Sequence, residues 1–147
     1  MAKFNYKFAS VQRIKNTIEK KVQKELSVID LEIEKAKIKL SELEAEKKRR
    51  KEELKLKKSV KVAELNFYDN FEKNMIVKIN SVEKEILNLE TSRRIKQEEL
   101  VEKSKETKMF EKLEIKHHGE FLKEQDKLEQ IELDDIATKK FVRSMKK

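Results

Sequence analysis

From Phe4 onward an apolar residue returns every three or four positions, with no proline anywhere to break the pattern. The run passes through Phe8, Val11, Ile14, Ile18, Val22, Leu26, Ile29, Ile33, Ala36, Leu40 and Leu43. From Val22 the steps alternate four and three, which puts these side chains on one helical stripe, the a and d positions of a heptad. The steps from Ile14 to Leu26 are all fours, a stutter that locally relaxes a left-handed supercoil. Between the stripe positions the chain is mostly Lys and Glu, the solvated flanks of a two-stranded coil.

The stripe then fails. Between Leu43 and Leu54 the only apolar residue is Ala45, and the gap contains Lys47, Lys48, Arg49, Arg50 and Lys51 in succession. No glycine or proline marks a turn here, so Ser59 is the strongest helix-capping signal in the region. A second stripe runs Phe71, Met75, Ile79, Val82, Ile86, Leu89, becomes polar at Arg93 and Lys96, and resumes at Leu100. Apolar residues continue at Phe110, Leu113, Phe121, Leu128, Ile131, Ile136, Ala137 and Phe141, past a single glycine at 119. One mid-helix glycine costs only about 1 kcal/mol relative to alanine, so Gly119 reads as a soft point rather than an end.

Two stripes joined by a short break fold back on each other antiparallel. The expected fold class is therefore all-α: two long helices forming an antiparallel coiled-coil hairpin, the second helix the longer. Helix one is expected over about 4–57, the turn over about 58–60 and helix two over about 61–144, as one domain. Facing residues then have numbers that sum to about 118. High charge (45%) and few aromatics (6%) also suit disorder, but a disordered chain would show no such period.

This register leaves two features without an intrachain partner. Helix one runs out opposite about residue 114, so roughly 30 residues of helix two overhang with Ile115, Phe121, Leu122, Leu128, Ile131, Ile136, Phe141 and Met145. At the turn end, Phe67, Tyr68 and Phe71 stand opposite the basic run 47–51, where they either anchor a partner or lie under arginine and lysine stems. Charge is segregated too. Residues 35–58 carry 11 basic and 5 acidic side chains, whereas residues 120–135 carry 7 acidic and 2 basic. Such runs are usually solvated faces, but this segregation can also orient a hairpin between partners.

Catalysis finds no foothold in the residues. His117 and His118 are neighbours, so on a helix they point about 100° apart and make no two-histidine metal face. Asp134 and Asp135 are likewise adjacent, there is no cysteine, and no glycine-rich loop could hold a phosphate. A hairpin of two helices offers no concave pocket, so the reading is a non-enzyme without a cofactor or metal. The start lacks the apolar core of a secretory signal and no stretch reaches the roughly 18 apolar residues that span a bilayer, so a soluble cytoplasmic protein is expected. A net charge of +8 favours an acidic partner without naming one.

The ends of the chain resemble a known family. Phe4-Asn5-Tyr6-Lys7-Phe8 followed by Val11 is similar to the opening of the flagellar export protein FliJ family. Val62-Ala63-Glu64-Leu65 leading into Tyr68 and Phe71 resembles that family's second-helix start, and the stretch from Lys108 through Asp134-Asp135 and Ile136-Ala137 to Phe141 resembles its terminal pattern. The similarity runs over almost the whole chain, although heptads alone make coiled coils alike.

The resemblance implies a component of the flagellar type III export apparatus that looks like the central stalk of a rotary ATPase. Implied partners are the ring of the export ATPase FliI, the export gate membrane protein FlhA and export chaperones, with no specific nucleic acid and no membrane insertion. The implied location is cytoplasmic, peripheral at the inner face of the cell membrane through that apparatus. On this sequence the ring-binding role falls to Phe4, Phe8, Val11, Leu128, Ile131, Asp134, Asp135, Ile136 and Phe141. Gate docking falls to Phe67, Tyr68, Phe71 and Met75. The lysine density departs from family members richer in glutamine and arginine. Two other readings stand beside it: a nucleic-acid-binding arm using the basic tip Lys47, Lys48, Arg49, Arg50 and Lys51, and a self-associating coil that buries the overhang.

Overall fold

The structure is a computed structural model, and it describes residues 2–146. Two helices account for nearly all of them, α1 (Ala9–Leu56) and the longer α2 (Val62–Met145), and no strand occurs among the described residues. The class is all-α, with the helices packed against each other antiparallel. Contacts fall into two compact units, one made by Lys20–Val101 and the other by the residues up to Glu19 together with those from Glu102 onward.

In the Lys20–Val101 unit the heptad stripes form the seam. Val22, Ile33 and Ala36 of α1 and Met75, Ile79, Val82 and Ile86 of α2 are buried. Ala36, Val82 and Ile86 form a cluster against which Leu40, Leu43 and Leu89 pack. Each such aliphatic side chain gains about 1.5–3 kcal/mol when fully buried, but two helices alone enclose none completely.

Where the α2 stripe turns polar, charges replace apolar contacts across the seam. Arg93 pairs with Asp30, and Lys96 with Glu25 and, at 3.1 Å, with Glu99. The Lys96 hydrogen bond holds the Glu25 carboxyl below the usual carboxylate range, against the opposing effect of burial, and Glu25 in turn raises the Lys96 ammonium.

The connection occupies residues 57–61, and Ser59 does not cap α2. Lys61 does, its carbonyl accepting the Glu64 and Leu65 amides at 3.0 and 3.1 Å. Glu64 lies in the first turn of α2, favourable for the helix dipole, and Lys57 reaches it at 3.3 Å. This pair, like Lys96–Glu25, joins residues whose numbers sum to about 121 rather than 118, so the register lies nearly one turn from the expected fold-back.

In the other unit α1 begins at Ala9, not near residue 4. Residues 2–8 are non-helical, with Phe4, Tyr6 and Phe8 half-buried and Asn5 and Lys7 exposed. Residues 7 and 8 form a turn, closed by the Ala9 amide donating to the Tyr6 carbonyl at 3.2 Å. The spacing 4, 8, 11 suits a helix, yet the half-burial of 4, 6 and 8 in a non-helical segment lays all three rings against α2. The Phe8 carbonyl accepts the Gln12 amide at 2.9 Å and opens α1. Further along, Lys15 pairs with Glu106 at 2.9 Å and Gln12 donates to Glu114 at 3.0 Å. Ile14, expected in the seam, is 58% exposed, as the stutter turns it off the contact line. Thr107 is buried, its hydroxyl donating to the Lys103 carbonyl at 3.0 Å. Gly119 lies within α2 without a positive φ, so the helix passes through it.

Candidate functional site

Two surfaces answer to the sequence expectations, one in each unit. In the Lys20–Val101 unit the seam ends before the connection, and charged residues occupy its next layers. Lys47 is half-buried, and Arg50 lies over the Phe71 ring at 5.5 Å from its centroid. Local cover by an arginine is therefore what meets Phe71. Phe67 is not covered in this way: it is 72% exposed, and Leu56, Val62 and Leu65 are exposed near it in sequence. Lys48, Arg49 and Lys51 point to solvent.

Contrary to the expectation that two helices offer no concave pocket, Arg50, Leu54, Lys57, Phe67, Tyr68 and Phe71 line an open cleft of about 370 Å³. The Tyr68 hydroxyl is buried there without a hydrogen-bond partner. Burial, and secondarily the Glu72 charge, push its phenol up. Met75 does not belong to this surface. The resemblance grouped it with the aromatics, but it is 3% exposed, because its place on the a/d stripe turns it into the seam.

In the other unit the amino-terminal segment lies along α2 as a strap. Phe4 meets His118 edge-on at 4.8 Å and Phe121 at 5.5 Å. Tyr6 and Phe8 flank His117 at 5.8 and 6.0 Å, and Phe8 meets Phe110 at 6.2 Å. The Tyr6 hydroxyl donates to the Phe110 carbonyl at 2.9 Å, and burial with the nearby Glu114 charge raises its pKa. Phe4 and Phe8 are thus occupied by α2, while Val11 is more exposed.

The strap reaches Phe121, which is half-buried against Phe4 and so is not part of an overhang; Gln125 is the last described residue that is not fully exposed. Every described residue beyond Gln125 is exposed, including Leu128, Ile131, Asp134, Asp135, Ile136 and Phe141. Gln130 donates to Asp134 at 3.2 Å and Lys139 pairs with Asp135 at 3.2 Å, both along the helix. Sequence reasoning missed Tyr6, Phe110 and His117 as strap contacts, although the Phe-x-Tyr-x-Phe alternation carried the signal. No group of three or more His, Cys, Asp or Glu able to hold a metal occurs among the described residues, and no helix there is long and apolar enough to cross a membrane.

Two helices packed on each other antiparallel, the second longer, with apolar side chains left exposed at the connection and along the last helix, define an all-α protein of the helical-hairpin class. The family described as Flagellar FliJ protein matches residues 4–146, and the chain belongs to that family. It is 36% identical over 90 residues to the Flagellar FliJ protein of Bacillus subtilis (strain 168), a match covering 61% of this chain and 61% of that relative. No solved structure matches the chain.

Proposed function

We propose that this chain is a stalk-like component of the flagellar type III protein export apparatus. In this reading the exposed carboxyl-terminal part of α2 engages the export ATPase ring, and the aromatic end of the Lys20–Val101 unit engages the export gate. Chaperones that escort export substrates dock on the same protein, which is held at the inner face of the membrane by these partners.

The observation that carries the reading is the exposure of Leu128, Ile131, Ile136 and Phe141 on a helix that no described residue covers there. An isolated helix with such side chains is marginal in water and gains from a partner. Asp134 and Asp135 add charge to this surface, while Phe4, Phe8 and Val11 act through the end of the unit that supports it. At the gate end, Phe67, Tyr68 and Phe71 are the contact group and Met75 supports them from the seam.

The test is the ATP hydrolysis rate of the cognate export ATPase with and without this chain, alongside co-purification. Stimulation that is lost in Ile131→Asp and Phe141→Asp supports the reading. No stimulation and no co-purification of the wild-type chain would sink it.

A further inference from the structure

The exposed tail of α2 has a seam of its own, and that seam is symmetric. Continuing the heptad line past the strap gives Leu128, Ile131, Asp135, Thr138, Val142 and Met145. The steps read three, four, three, four, three, the same in either direction. Two copies laid antiparallel therefore superpose their seams in register: Leu128 on Met145, Ile131 on Val142, and Asp135 on Thr138 at the centre. All four apolar members are exposed in the single chain, Leu128 by 51% and Ile131 by 63%.

Charge has the same symmetry with opposite sign. Residues 126–135 contain 5 acidic side chains and 1 basic, and residues 136–146 contain 4 basic and no acidic. An antiparallel pair brings each acidic half against the other copy's basic half. Glu132 on the flank of one seam then faces Arg143 and Lys139 of the second copy, and the relation holds twice by the two-fold axis. Asp135 and Thr138 make a polar central layer, the kind of device that fixes register and orientation in a coil.

We propose that residues 126–146 form an antiparallel two-fold interface with a second copy of this chain. An anionic lipid surface would attract the basic half but repel the acidic half and leave Leu128 and Ile131 bare, whereas a second copy covers both halves. The pairing does not rest on the export reading: it concerns the tail when no other partner holds it.

Sedimentation equilibrium and a charge exchange test it in the full chain. The wild type is expected to approach twice its 17.6 kDa mass as concentration rises to about 100 µM, and to fall back at high salt. Glu132→Lys alone, and Lys139→Glu with Arg143→Glu alone, each set like charges against each other and weaken association by tenfold or more. An equimolar mixture of the two variants recovers it as a heterodimer. Because the chain has no native cysteine, orientation is read from single-cysteine variants. Leu128→Cys should cross-link to Met145→Cys and not to itself.

A wild-type chain that stays monomeric overturns the proposal, as does a mixture no better associated than either variant. Cross-linking of Leu128→Cys to itself refutes the antiparallel arrangement. A monomer that instead binds vesicles of anionic phospholipid assigns the tail to a lipid surface and likewise overturns it.

Discussion

Truncating Phe4 to alanine should release the strap and little else. The ring is half-buried between His118 and Phe121, at centroid distances of 4.8 and 5.5 Å. Full burial of a phenylalanine contributes about 1.5–3 kcal/mol, so half of that is about 0.7–1.5 kcal/mol. An aromatic pair adds about 0.5–1.5 kcal/mol beyond area. Together the loss is about 2 kcal/mol, or roughly a 30-fold larger population of the opened strap.

Amide hydrogen exchange reads this directly, because the Ala9 amide donates to the Tyr6 carbonyl at 3.2 Å and is exposed when the strap lifts. In Phe4→Ala its exchange should accelerate by about 30-fold, while the amides of Val82 and Ile86 in the Lys20–Val101 seam keep their rates. An Ala9 rate within about twofold of wild type refutes the packing argument. Acceleration of the seam amides by the same factor refutes the claim that the strap opens locally.

Gly119→Ala should raise stability by about 0.5–1 kcal/mol in a denaturant titration, since a Cβ there meets nothing within 4 Å and the helix loses its most flexible residue. Met75→Ala should cost about 2–4 kcal/mol by the same titration, whereas Phe67→Ala should change stability by under about 0.5 kcal/mol. If Phe67→Ala costs as much as Met75→Ala, the ring is part of the packed structure rather than free surface. For pH, Glu25 and Glu106 have lowered carboxyl pKa values, so the unfolded chain binds their protons first on acidification. Their contribution is complete above the ordinary carboxylate pKa and is lost as pH falls through the lowered values. Thermal melts should therefore weaken in acid, and Glu25→Gln should reduce that slope.

The seam of the Lys20–Val101 unit was legible because Ile33, Ala36, Val82 and Ile86 sit in strict heptad spacing, and burial follows spacing. The register was not, since no glycine or proline fixes the connection and Ser59 offered a cap that the fold places on Lys61. Phe4 and Phe8 fitted the helical period by coincidence, and only Tyr6 between them points to a non-helical strap. Arg93 and Lys96 looked like a weakness of the second stripe because their partners, Asp30 and Glu25, lie more than sixty residues away. Met75 shows a different limit. Its heptad spacing placed it in the seam while the family resemblance placed it with the aromatic group, and its burial follows the spacing.

Those two polar positions have a consequence for folding. A uniform heptad seam is indifferent to sliding by seven residues, since leucine meets isoleucine in every frame. Moving one helix a heptad in one direction would set Arg93 against Lys37, and in the other against Gln23, which carries no charge to answer it. In the first frame Lys96 would find Glu32 in place of Glu25, but Arg93 would face a like charge; in the second Lys96 would face Ile18, so neither frame keeps both cross-helix pairs. Exposed ion pairs of this kind contribute little to how firmly a coil holds, but they mark its reading frame, so the two helices close in one alignment out of several that apolar contacts alone would accept.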